Sequence, residues 1–155
     1  MGSGKSVVGA LVAQRIEAPF HDLDRMIEDE AGMPISDIFT NGGEAAFRAL
    51  ETRVLPRALE QGAVVALGGG TLISDANWRL VADTSATVYL EVPFDAMWER
   101  IRMLTGRPLA SGRSREELEL LFERRRPRYE QALNRVDGDR PPSVVADEVI
   151  KLWSA

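Results

Sequence analysis

The run Gly2-Ser3-Gly4-Lys5-Ser6 is suited to holding an anion. Glycines let successive backbone N–H groups turn toward a phosphate. Directly behind them, Val8, Leu11, Val12 and Ile16 recur at helical spacing, which predicts a helix over Ser6 to Glu17. A helix starting there offers unpaired N–H groups and the positive end of its dipole to the same anion. Gly2, Gly4, Lys5 and Ser6 match the end of the pattern G-x-x-x-x-G-K-[ST]. In that pattern the lysine reaches the outer phosphates and the hydroxyl ligates magnesium. A chance Gly-Lys-Ser in a flexible turn is the other reading.

Two carboxylates follow, Asp22 and Asp24, spaced i, i+2 after a predicted strand. In an extended segment both side chains point the same way. One would hold magnesium and the other would take a proton from a hydroxyl nucleophile; capping of the next helix is the competing role. Gly68, Gly69 and Gly70 follow the apolar run "AVVAL", where backbone approaches a small ligand closely or simply turns. Leu118, Leu121, Phe122 and Arg125 fall at i, i+3, i+4 and i+7, so Arg125 lies on an apolar face. A guanidinium there needs a carboxylate or phosphate partner, either internal or a ligand's. Arg48 flanks a similar face, with Glu51 placed to hold it. Arg107, in "TGRPLASGRS", sits in a loop with glycines at both ends. Such a loop either closes over a nucleotide, its arginine stabilising charge on a transferred phosphoryl group, or carries an ordinary surface arginine. His21, Trp78, Trp98 and Trp153 read as packing residues.

The elements that must position these groups alternate. A strand ends near His21, and "LDRMIEDEAG" is helical, stopping at Gly32. "MPISDIFTNGG" reads as a turn-rich connector with a short helical piece. Glu44 to Gln61 is a helix closed by Gly62, and Pro56 should kink it. "AVVAL", "ATVYLEV" and "LNRV" read as strands. Helices are expected over Asp75 to Ala82, Phe94 to Leu104, from Arg115 onward and along "PPSVVADEVIKLW". Ser114 and Glu117 form a capping box. This alternation implies a parallel sheet covered by helices on both faces. Ligands in such sheets bind at the carboxyl ends of the strands, where the glycines and the Asp pair fall.

Size and charge set further bounds. The 155 residues suffice for one domain, 1–155, with a sizeable core. The net charge of −5 argues against a nucleic-acid or anionic-membrane partner, so any anion site is made by a few placed cations. Without cysteine there is no disulfide, thiolate zinc site or cysteine nucleophile. No apolar run approaches the ~20 residues of a membrane span, and a cytoplasmic protein is expected. The strand that should deliver the phosphate loop, and the loop's first glycine, do not precede Gly2. Losing about five buried apolar residues forfeits on the order of 7–15 kcal/mol. The expectation is therefore that the natural polypeptide begins upstream, or that something else fills the gap.

The chain resembles the shikimate kinases over nearly its whole length. The likeness rests on "GSGKS", "DLDRMIEDEAGMPISDIFTNGGEAAFRALE", "LGGGT", "GRPLA" and "RRPRY". It implies a three-layer α/β/α P-loop kinase fold, like that of the nucleoside monophosphate kinases. That fold would have a lid at about 105–115, a substrate-binding region at about 22–61, and its first central strand missing. It implies transfer of a phosphoryl group from ATP, with Mg2+, to the 3-hydroxyl of shikimate, by an enzyme with no obligate protein partner and read as a monomer. By matching position, Gly2, Ser3, Gly4, Lys5 and Ser6 would serve ATP. Ser6 and Asp22 would serve the metal, and Asp24 would bind the hydroxyl and act as base. Arg48 and Arg125 would clamp the carboxylate beside Gly68, Gly69 and Gly70. Arg107 would be the lid arginine, and Arg100 and Arg140 would lie near adenine. A related kinase acting on a substrate such as gluconate, and a nucleotide-binding module without turnover, are the alternatives.

Overall fold

The structure, a computed structural model, describes residues 2–60, 62–103 and 114–153. Its elements run α1 (Lys5–Arg15), β1 (Phe20–Asp22), α2 (Leu23–Ala31), α3 (Ile35–Ala58) and β2 (Val64–Ala66). They continue with a 3-10 turn (Thr71–Ile73), α4 (Asp75–Thr84), β3 (Val88–Glu91), α5 (Phe94–Met103), α6 (Arg115–Tyr129), β4 (Asn134–Asp137) and α7 (Pro142–Trp153). The expected alternation is present. Arg107 and the expected lid up to residue 113 lie outside the described residues, while Ser114 and Arg115 already cap and begin α6.

Strands β1 and β2 pair in parallel, Phe20 opposite Val64 and Asp22 opposite Ala66. Strands β3 and β4 pair in parallel, Val88 opposite Asn134 and Glu91 opposite Asp137. The two ladders are separate two-stranded sheets. A cavity of about 500 Å³ is lined by both β2 and β3, with Val64, Ala66, Val88 and Leu90 among its walls. It forms a slot lined by one strand of each ladder. At its far end it reaches Lys5, Gly68, Gly69, Arg125 and Tyr129.

Two cores flank the slot. Leu23, Ile27, Phe47, Val54, Leu55 and Val81 lock α2, α3 and α4 together. Val8, Val12, Val136, Val145 and Ala146 join α1 to β4 and α7. Each fully buried Leu, Ile, Val or Phe in these clusters contributes about 1.5–3 kcal/mol. The first core fixes the angle between β1, which ends at Asp22, and α3, which carries Arg48.

Three expectations need correction. The connector after Gly32 is mostly helix: α3 starts at Ile35 because Ile38 is buried and Phe39 stacks on Phe47 at 4.9 Å between ring centres. Its first amide, Ile35 N–H, donates to Glu28 Oε1 at 3.0 Å, so α2 supplies the cap that Pro34 lacks. The break in α3 lies at Gly43 (φ 70°, ψ −173°), and the backbone stays helical through Pro56. Glycine alone tolerates that conformation cheaply, whereas a proline two residues before a helix end disturbs little downstream. Trp153, at the end of α7, is 68% exposed rather than packed. Ser114 and Glu117 do form the capping box of α6. Among the described residues no helix is long and apolar enough to cross a membrane.

Candidate functional site

At the phosphate-loop end, Gly4 caps α1 in the left-handed region (φ 83°). That turn leaves the first N–H groups of α1 facing outward, beside Lys5 and Ser6. The Ser6 hydroxyl donates to Asp22 Oδ2 at 2.5 Å. The other oxygen of Asp22, Oδ1, accepts from Asp24 N–H at 3.1 Å and caps α2. Capping thus occupies one oxygen of Asp22 and leaves the other on the Ser6 hydroxyl. The chain turns into α2 at Leu23, so Asp22 and Asp24 are not alternate residues of one strand as expected. The strand-to-helix turn brings them together instead.

Lys5 Nζ lies 3.9 Å from Asp24 Oδ2. Burial raises the Asp24 carboxyl above its ordinary value; Lys5 pulls it down, and the charges of Asp22 and Glu51 push it up again. A carboxylate with raised proton affinity beside a lysine at the start of a glycine-led helix suits a general base. Ser6 and Asp22 present only oxygen donors. Magnesium takes one or two such protein ligands and completes its shell with phosphates and water, so the pair fits that ion. Among the described residues no group of three acidic or histidine ligands gathers elsewhere.

The glycine run lies between this end and the arginines. A Cβ on Gly68 would stand 2.8 Å from Asp24 Oδ1 and 3.1 Å from Thr71 Oγ1. A Cβ on Gly70 would stand 2.7 Å from Arg48 Nη1 and 2.8 Å from its Cζ. Side chains at either position would displace the acid or the guanidinium, so glycine here is a requirement of close approach. Arg48 Nη1 donates to Glu51 Oε2 at 2.8 Å, and Nη2 meets Glu44 Oε1 at 3.3 Å. Burial works against the Arg48 cation, but the bonds from Glu51 and then Glu44 outweigh it and its proton affinity is raised. Its charge is thus fixed against Gly70.

Arg125 arrives from α6. It is half-buried, and among the described residues no carboxylate lies within ion-pair distance of it. Neighbouring Arg126 is exposed and pairs with Glu123 and Glu130 instead. The Tyr129 hydroxyl donates to Gly69 O at 2.5 Å and pins α6 to the glycine run. Burial raises the Tyr129 phenol, while Arg125 and, more weakly, Arg48 hold it down. Both arginines thus act on one hydroxyl at Gly69. One turn away Arg128 pairs with Asp75 and rests over the Trp78 ring, 5.6 Å from its centre.

Arg100 and Arg140 lie behind the loop. Arg100 donates to Gly2 O at 3.3 Å and to Asp139 Oδ1 at 2.8 Å. Arg140 is held by both oxygens of Glu148 and by Asp137. Ser3, Lys5, Gly68, Gly69 and Arg125 line one cavity, and pairwise contacts join Ser6, Asp22, Asp24, Arg48 and Gly70 to its rim. The structure leaves Arg140 tied to its own carboxylates. His21 Nδ1–H donates to Ala58 O, 2.9 Å away, as a packing residue would. Thr71, which no sequence pattern singles out, proves wholly buried beside Glu51.

Comparison with known proteins agrees with this arrangement. A family model described as shikimate kinase matches residues 1–153. A shikimate kinase of Salinibacter ruber is 40% identical over 166 residues, covering 100% of this chain and 81% of the relative. Among solved structures, shikimate kinase from Aquifex aeolicus superposes with a TM-score of 0.87 at 34% identity, over 99% of this chain and 92% of that one. Shikimate kinase from Acinetobacter baumannii in complex with shikimate superposes with a TM-score of 0.93 at 29% identity, over 99% and 88%. With a phosphate loop, an Asp pair, a glycine run and two convergent arginines spread along its whole length, the chain belongs to the shikimate kinase family.

Proposed function

We propose that the protein transfers the γ-phosphoryl group of ATP to the 3-hydroxyl of shikimate. The observation that carries this reading is the convergence of Asp24, Arg48 and Arg125 on Gly68–Gly70, one side chain away from Lys5. A ligand seated there needs a hydroxyl facing the acid and an anionic group facing the guanidinium pair. Shikimate has both, and the Acinetobacter relative is described in complex with it.

In this reading the backbone of Gly2–Gly4 and Lys5 hold the triphosphate. Ser6 and Asp22 would hold Mg2+, whose charge would neutralise that of the phosphates. Arg48 and Arg125 grip the carboxylate and so fix the ring. The 3-hydroxyl oxygen attacks the γ-phosphorus as Asp24 accepts its proton, and ADP leaves. The protein supplies little covalent chemistry beyond positioning and charge. Arg107 is the proposed lid cation. Arg100 and Arg140 are the proposed adenine neighbours, each of which would first exchange a carboxylate partner. The enzyme is read as a cytoplasmic monomer. ADP release with ATP and Mg2+, measured with and without shikimate and with gluconate as control, tests the reading. Shikimate-dependent release is expected; its absence would overturn the assignment.

A further inference from the structure

Behind the arginine clamp runs a chain of buried polar groups that ends on Thr71. Glu51 is 1% exposed, and among the described residues each of its oxygens has one side-chain donor. Oε2 takes Arg48 Nη1 at 2.8 Å, and Oε1 takes the Thr71 hydroxyl at 2.6 Å. Thr71 is itself 0% exposed, and its carbonyl accepts from Nδ2 of Asn77, 2% exposed, at 3.1 Å. Three elements therefore share one line of hydrogen bonds: α4, the 3-10 turn and α3. Inside a protein such lines are stiff, and an unpaired member is costly, so each bond fixes the orientation of the next.

The geometry around the glycines shows what that orientation controls. A Cβ on Gly68 would also come within 3.5 Å of Glu51 Oε1, so Asp24, Thr71 and Glu51 crowd one point. A Cβ on Gly70 would collide with the Arg48 guanidinium. Rotation of Glu51 about its last bond would swing Oε2 away from Arg48. Only the hydroxyl of Thr71 holds the opposite oxygen among the described residues. A valine in its place would keep the shape and lose that hold.

We propose that Thr71 is a positioning residue for the acid clamp: by holding Oε1 of Glu51 it sets the plane in which Arg48 meets the substrate carboxylate. The proposal rests on the reading that Arg48 binds that carboxylate. It assigns Thr71 control over affinity for the acid, with none over the nucleotide, since nothing in this line touches Lys5 or Ser6.

The test compares the full chain with Thr71→Val and Thr71→Ser, with two independent readouts. In steady-state kinetics, Thr71→Val should raise KM for shikimate about tenfold, the effect of one lost bond to a charged group. KM for ATP should stay within about twofold, and Thr71→Ser, which keeps the hydroxyl, should restore the parent value. Without any substrate, the Arg48 Nε–H resonance should shift in Thr71→Val and return in Thr71→Ser. Should the valine variant fail to fold, Thr71→Ala serves both readings. Both KM values moving together, or an Arg48 resonance unmoved in Thr71→Val, would overturn the proposal. If the resonance shifts as expected but the parent releases no ADP with shikimate, the functional reading falls, and the role in acid binding with it; only the hold of Thr71 on Arg48 through Glu51 remains.

Discussion

Arg48 leans on Glu51, a carboxylate sealed from water and held from behind by Thr71, whereas Arg100 and Arg140 grip Asp139 and Glu148 at the protein's edge. The first arrangement cannot relax without leaving a buried charge unpaired, which costs several kcal/mol. The second exchanges partners with water freely, because exposed pairs contribute little. On the proposed function, the acid end of the cleft is therefore built in advance, and the nucleotide end is left adaptable. Substitutions at the first should act on acid recognition sharply, and those at the second should act weakly.

The largest effect expected from this contrast is at Asp24. Asp24→Asn should lower turnover by about 10²–10⁴-fold, the usual contribution of a general base. Nucleotide binding, followed by calorimetry, should be spared. The same variant carries a stability test. The folded carboxyl is raised above 3.8, so the folded state binds more protons than the unfolded one between the two values. Stability from this group is lost as pH rises through that window, and the cost persists at neutral pH. Asp24→Asn should therefore melt higher than the parent at pH 7, and a lower melting temperature would contradict the burial argument.

Next in size is Arg125→Ala, which should weaken shikimate binding by about 2–5 kcal/mol, as for other truncations within a buried charge pair. An unchanged KM for shikimate would mean that Arg125 serves the protein alone. The pH profile is a finer probe. Asp24 must be ionised to accept a proton, so the acid limb of kcat/KM should lie above the 3.8 of an unperturbed aspartate. A limb at or below that value would remove Asp24 from the role. The smallest effect belongs to the edge: Arg100→Ala should change KM for ATP by no more than about fivefold, the ceiling for an exposed pair. A larger loss would erase the contrast between the two ends.

Much of the cleft is legible in the sequence because its chemistry is local. The loop, the Asp pair and the Arg48–Glu51 spacing each lie within a few residues, and the capping box of α6 follows from Ser114 and Glu117 alone. What the sequence hides is long-range. Nothing in "LGGGT" shows that Thr71 will meet Glu51 twenty positions back, or that Tyr129 will reach Gly69. The kink expected at Pro56 is absent for a related reason, although the expected helix start at Glu44 does fall at the break, Gly43. Proline is the louder local signal, but burial of Ile38 and Phe47 on either side of Gly43 decides where the helix must bend. Likewise, helical spacing marks Arg125 correctly, whereas the partners of Arg140 depend on how α7 folds back.

The seating of Arg128 on Trp78 equips the molecule with its own optical gauge. A cation resting on an indole shifts the colour of its emission, and the two residues sit on α6 and α4. With Trp98→Phe and Trp153→Phe leaving a single emitter, any swing of α6 during the catalytic cycle would be visible as a spectral change. No attached dye would be needed, and the signal would come from the helix that carries Arg125 itself.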